Sequence, residues 1–204
     1  MISLCQAVCE NPFPGFTEAV PAYASLAIFY DVVTVRQNNP RFATAFESVK
    51  NYIQELIDTG FTATVTTSGK IIIPVLYNGE DLQSMAAAKN ITVDELITIH
   101  TAQEYQVYMI GFLPGFAYMG SVDGRIAMPR RQVPRTLVPA GSVGIAGRQT
   151  GIYPLSSPGG WQLVGQTPVK IFDAAKPSPC LLSAGDTVRF ISISKKEFDQ
   201  CNEY

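Results

Sequence analysis

Histidine and tryptophan each occur once in these 204 residues, as His100 and Trp161, and cysteine occurs four times. One imidazole cannot build a histidine-rich metal centre, and any serine–histidine–aspartate triad would have to be organised on His100. Gly-x-Ser-x-Gly does not occur, and no feature designates a nucleophile. Charged residues are only 16% of the chain and the net charge is −2, which argues against a duplex-wide basic footprint for nucleic acid. No apolar run approaches the roughly 18 residues of a membrane helix. The first residues lack a basic n-region, and their apolar run is broken by Gln6 and Glu10, so they do not read as a secretory signal. Cys5, Cys9, Cys180 and Cys201 fit buried free thiols in a reducing cytoplasm better than a zinc site.

What is present is globular: 47% hydrophobic residues, enough for one good core and two small domains. The pattern predicts a short helix over residues 2–9, then strands at Phe16–Tyr23 and Ser25–Tyr30 closed by Asp31. A helix follows from Pro40 to Ile57, carried by Phe42, Phe46, Val49, Ile53, Leu56 and Ile57 and stopped by Gly60. Lys70–Tyr77 is the next strand, and Pro74 places it at an edge or marks its end. This order, α-β-β-α-β, is ferredoxin-like without its opening strand. Glu80–Lys89 reads as a helix with Asn90 as a left-handed cap. Thr92-Val-Asp-Glu95 is a capping box for a helix through Ile99, which sets His100 at its C-terminus. The expected class is α+β: an N-terminal α/β domain (1–75), a helical connector (76–104), a β-barrel (105–194) and a polar, partly disordered tail (195–204).

The barrel segment holds most of the chemistry. Eleven of the sixteen glycines and seven of the fourteen prolines lie in 111–172, punctuation that suits short strands and shaped turns. The same stretch carries Arg125, Arg130, Arg131, Arg135, Arg148 and Lys170 against Asp123 alone, a local +5 in an acidic chain. That pattern suggests a site for a small anion. Arg130, Arg131 and Arg135 offer planar forks for carboxylate or phosphate, and turns at 141–147 and 158–160 can present backbone N–H groups. Phe112, Phe116, Tyr118, Tyr153 and Trp161 can supply apolar walls. Structural readings stay open beside these. The Gly111–Phe116 loop also fits a rigid turn that plugs the barrel, Trp161 fits a core wall, and His100 fits a helix C-terminus for dipole reasons alone.

Tyr108-x-Ile110-Gly111-Phe112-x-Pro114-Gly115-Phe116-x-Tyr118, Pro129-Arg130-Arg131-x-x-Pro134-Arg135, Val138–Val143 and Thr150–Pro154 followed by Ser157–Trp161 resemble the family of the B-type 5-oxoprolinase subunit. That family is also called allophanate hydrolase subunit 1 and includes the Kip-type inhibitor of a sporulation histidine kinase. The resemblance implies a small N-terminal α/β domain followed by a cyclophilin-like barrel. It implies ATP, with Mg2+, as co-substrate and no prosthetic group. The implied partners are the C-type 5-oxoprolinase subunit and, functionally, the A-type one. The implied reaction is the opening of 5-oxo-L-proline to L-glutamate by a cytoplasmic complex, the chain being inactive alone. On that reading His100 is an acid/base or oxyanion partner, and Arg131 and Arg135 are anion clamps. Phe112, Tyr118, Ser142, Gln149, Tyr153, Ser157, Gly159 and Trp161 then contact substrate or nucleotide. The alternative is a Kip-type inhibitor that docks on the dimerisation helices of a sensor kinase through Phe112, Phe116 and Trp161. Prolyl isomerase activity would follow from barrel likeness alone, and fold does not transmit function.

Overall fold

The structure, a computed structural model, describes residues 1–61 and 70–201. The chain divides into two compact units, Met1–Thr66 and Thr67–Tyr204. In the first, α1 (Ile2–Glu10) precedes an antiparallel pair, β1 (Phe16–Pro21) and β2 (Leu26–Tyr30). Two helices follow, α2 (Val32–Asn38) and α3 (Ala45–Thr59). The sequence reading has no α2. Asp31, expected only to close β2, also caps that helix, its carboxylate accepting the Thr34 N–H at 2.6 Å. α3 starts at Ala45 rather than Pro40 because Thr44 and Glu47 form a capping box. Val49 packs with Val35 and Ala45 in this unit's core, whereas Phe46 and Ile57, counted in the apolar stripe, are exposed. Gly60 ends α3 with φ 73°, as expected of a helix stop.

In the second unit, β3 (Ile71–Val75) leads through α4 (Leu82–Ala88) and α5 (Val93–Ala102) into β4 (Glu104–Ile110) and β5 (Ala117–Gly120). Then come β6 (Arg135–Val138), β7 (Ser142–Ala146), β8 (Gln149–Ile152), β9 (Ser157–Gly159), β10 (Gln162–Gln166), β11 (Thr187–Ser192) and α6 (Lys195–Cys201). Seven strands form one sheet in the order β10-β7-β8-β5-β4-β11-β3, and β6 pairs with β9 in a separate ribbon. The sheet closes on itself at Leu76 and Gln166, whose backbones exchange two hydrogen bonds of 2.9 Å. A closed sheet leaves few raw edges.

Closure corrects the expected domain boundaries. Residues 71–75 do not complete the first unit; they lie parallel to β11, with Val188 opposite Ile71 and Ile191 opposite Pro74. Pro74 does stand at the end of the strand order, beside the closing bridge, where its missing N–H is tolerated. Nor is 76–104 a detached connector, since Leu82, Met85, Ala86 and Leu96 join the barrel core with Ile73, Val107, Met119, Ile145, Val164 and Phe190. The local predictions hold there. Asn90 is left-handed (φ 54°), and Thr92 and Glu95 make both hydrogen bonds of the capping box. Within the expected tail, 195–201 is helical and buries Phe198; residues 202–204 lie outside the described ones. The cysteines are free, but only Cys5 and Cys180 are half-buried, while Cys9 and Cys201 are exposed.

Candidate functional site: an aromatic cleft beside an arginine–aspartate knot

Gly79 begins the site by having no side chain. A Cβ there would stand 2.3 Å from the Leu163 carbonyl oxygen, so only glycine lets this turn lie flat on β10. Two residues on, the backbone N–H of Asp81 donates to Leu163 O (3.1 Å), and the Leu163 N–H returns a bond to Asp81 Oδ2 at 2.7 Å. The buried carboxylate then takes Arg131 Nη1 at 2.8 Å and Arg135 Nη2 at 2.7 Å on each oxygen. Arg135 also reaches Glu80 (3.0 Å) and the Trp161 carbonyl (3.3 Å). Burial works against its charge, and the bonds it donates to Asp81 and Glu80 outweigh that and raise its pKa above the ordinary value. The expected convergence of Arg131 and Arg135 is therefore real, but the anion they clamp is internal. Asp81, absent from the sequence-based candidates, is what they hold.

His100 is also revised. It is fully buried, its ring stacked on Phe190 with centroids 4.7 Å apart. Nδ1 lies 2.6 Å from the Tyr77 hydroxyl and Nε2 lies 3.1 Å from Thr150 Oγ1. Thr150 places its own hydroxyl hydrogen on Gly144 O (3.0 Å), so it must accept from Nε2–H, which leaves Nδ1 to accept from Tyr77. This relay fixes one neutral tautomer, and burial pushes the imidazole pKa down to about 3. A neutral imidazole with both nitrogens satisfied is a core fixture, and at neutral pH it lacks the imidazolium proton that a general acid would give.

The predicted aromatics do meet. Phe116 is the hub, edge-on to Phe112 (5.6 Å), Tyr118 (4.8 Å), Tyr153 (5.3 Å) and Trp161 (5.3 Å). These rings, with Arg130, Pro134 and Pro158–Gly160 at the end of β9, line a cleft of about 220 Å3. Gly151 permits the packing, because a Cβ would meet Phe116 and Trp161 at 3.1 Å. Gly159 does so on the other wall, where a Cβ would sit 2.4 Å from the Tyr153 hydroxyl oxygen. Phe112 stands at the lip, 62% exposed, with a left-handed backbone (φ 74°) that a bulky residue adopts only at a cost. Of the predicted contact residues, Phe112, Tyr118, Tyr153, Gly159 and Trp161 thus share one cleft.

Ser142, Gln149 and Ser157 do not line it. Ser142 is buried in β7 and accepts the Tyr153 N–H (2.9 Å) from behind; Ser157 is buried in β9 and its hydroxyl donates to Pro158 O (3.2 Å). Gln149 is half-buried in β8 opposite Gly120. The glycine-rich stretch 141–147, expected as a turn, is mostly strand β7 and is not an anion cradle either, since Gly141 N–H donates to Tyr153 O (2.7 Å) and Gly147 N–H to Met128 O (2.6 Å). Among the described residues, Arg130 pairs with no carboxylate; its guanidinium carbon lies 6.0 Å from the centroid of the Trp161 ring.

Residues 1–182 match the family of the carboxyltransferase domain, subdomains C and D. The chain belongs to that family. Relatives named as the B-type subunit of 5-oxoprolinase share its sequence along most of its length. The one from Bacillus subtilis is 46% identical over 95% of this chain and 82% of its own, and the one from Escherichia coli O157:H7 is 41% identical over 87% and 78%. Among solved structures, the protein TTHA0988 superposes with a TM-score of 0.80 at 36% identity, covering 95% of this chain. This carboxyltransferase-domain chain spans only 36% of the length of that protein. A conserved uncharacterized protein from Pyrococcus horikoshii gives a TM-score of 0.62 at 39% identity, over 97% of this chain and 88% of its own. Among the described residues, no helix is long and apolar enough to cross a membrane.

Proposed function

We propose that the chain is the B-type subunit of a 5-oxoprolinase, which opens 5-oxo-L-proline to L-glutamate at the expense of ATP. The observation that carries this reading is the 46% identity to a 5-oxoprolinase subunit of that type over 95% of the chain. The aromatic cleft is its share of the site. At about 220 Å3 the cleft falls below the ~300–1,000 Å3 of pockets that enclose drug-sized ligands, so it suits an amino-acid-sized ring rather than a nucleotide. Phe116, Tyr118, Tyr153 and Trp161 offer that ring apolar walls and exclude water. A lactam is a poor electrophile; phosphorylation of its amide oxygen by ATP, with Mg2+, makes the carbon open to water, and the C–N bond then breaks. ATP is placed in this proposal at a face completed by the C-type subunit, with the A-type subunit as the third component, in the cytoplasm. His100 supports the barrel and Arg131 and Arg135 hold the cleft wall, instead of acting on substrate.

The test is reconstitution with the A-type and C-type subunits, measuring oxoproline-dependent ATP hydrolysis and glutamate release. Turnover that falls in Tyr118→Ala and Trp161→Leu supports the cleft. Wild-type turnover in both removes the cleft from the site, and an assembled complex inert toward oxoproline ends the oxoprolinase reading. The exposed ring of Phe112 favours one other reading, an anchor for a Kip-type contact with a sensor kinase. Inhibition of kinase autophosphorylation by wild type and not by Phe112→Ala would select it.

A further inference from the structure

Three arginines lie within six residues of sequence, yet the structure divides their work. Arg131 and Arg135 face Asp81 and Glu80, two cations against two carboxylates, so this knot offers a ligand no net charge. Arg130 turns the other way, onto the face of Trp161 and into the lining of the aromatic cleft. Guanidinium is weakly hydrated and planar. It can rest against an indole face and still present two parallel N–H groups to a carboxylate. The cleft beneath it is small and ring-lined, and Phe112 overhangs it in a left-handed conformation that its own side chain disfavours.

Building on the oxoprolinase reading, we infer that Arg130 anchors the carboxylate of the cleft's ligand, a small monoanion whose ring lies among Phe116, Tyr118 and Trp161. Arg131 and Arg135 act on that ligand only by fixing the wall. The Arg131 N–H donates to Gly160 O at 2.7 Å and Arg135 Nη1 holds Trp161 O, which sets the turn that carries the indole.

Trp161 is the only tryptophan of the chain, so intrinsic fluorescence reports directly on the cleft. The isolated chain and its complex with the C-type subunit are titrated with 5-oxo-L-proline, with pyrrolidin-2-one (ring without carboxylate), with acetate (carboxylate without ring) and with L-proline. The expected result is that oxoproline binds at least about tenfold more tightly than pyrrolidin-2-one or acetate. Arg130→Gln weakens oxoproline by about tenfold and erases its advantage over pyrrolidin-2-one, while Arg130→Lys recovers part of it. Added salt weakens the wild type and leaves Arg130→Gln unmoved. Oxoproline bound equally by wild type and Arg130→Gln overturns the anchor and leaves the activity to be judged by turnover. Arg130-dependent binding of proline without any of oxoproline keeps the anchor and overturns the substrate. Failure of every carboxylate to bind the complex overturns the anchor.

Discussion

Truncating Asp81 should cost more stability than any other single change at the arginine knot. Its side chain is 5% exposed and receives four hydrogen bonds, from Arg131, from Arg135 on both oxygens and from the Leu163 N–H. Asp81→Ala strands Arg135, whose side chain is 12% exposed, with only Glu80 and the Trp161 carbonyl for company. Removing one partner of a buried ion pair costs about 3–5 kcal/mol. Two features pull the value to the lower end: Glu80 remains, though 73% exposed, and Arg131, 40% exposed, can turn into solvent. The expected loss is about 3 kcal/mol, or roughly 6–12 °C in Tm for a chain of this size. Thermal unfolding followed by circular dichroism and by Trp161 emission measures it, and the emission should shift first because Arg135 holds the Trp161 carbonyl. A combined Asp81→Leu, Arg131→Met, Arg135→Leu chain should recover part of the loss, since it leaves no buried charge unpaired, while the Leu163 N–H still loses its acceptor. An Asp81→Ala melting point within about 2 °C of wild type would refute the claim that the carboxylate is structurally required.

Other perturbations read other parts of the molecule. His100 titrates near 6.5 when unfolded and at about 3 when folded, so the unfolded state binds the extra proton between those values. Stability from this group is present above about pH 6.5 and falls by about 1.4 kcal/mol per pH unit below it; urea midpoints across this range should lose that slope in His100→Gln. Thr150→Val leaves Nε2–H without an acceptor and should cost about 1–3 kcal/mol, read as a lower urea midpoint at unchanged m-value. Phe112→Gly relieves the left-handed backbone, worth about 1–2 kcal/mol, against the lost ring contact with Phe116. Its Tm should stay close to wild type or rise, while ligand-induced change in Trp161 emission shrinks. Gly159→Ala drives a methyl into the Tyr153 hydroxyl and should abolish small-ligand binding in the same fluorescence titration.

Legibility in the sequence followed the range of the interactions. The Thr92–Glu95 box is readable because its hydrogen bonds span three residues, and Asn90 because left-handed caps favour asparagine. Thr44–Glu47 is equally local, but Pro40 supplies a competing start signal upstream. The β-branched apolar run in Lys70–Tyr77 identifies a strand and says nothing of its neighbour, which lies far downstream in β11. Asp81 is hidden for the same reason: its arginines are 50 and 54 residues away, and a lone Glu-Asp pair after a glycine reads as solvated surface. The arginine cluster announced a convergent charge but not whether its counter-ion was a ligand or a side chain. The aromatics were easier, because glycine-rich turns leave large rings little to do except pack on one another or on a guest.

Closure at Leu76 and Gln166 also governs when this molecule can become itself during synthesis. The first stave of the ring leaves the ribosome well before its lateral neighbour, since Val188 of β11 lies 117 residues beyond its partner Ile71. Until then that stave has no neighbour on the β11 side. The nascent chain must shelter an oily ribbon while the intervening strands are made, and a fragment begun at residue 105 would keep the later strands while discarding the one that seals them.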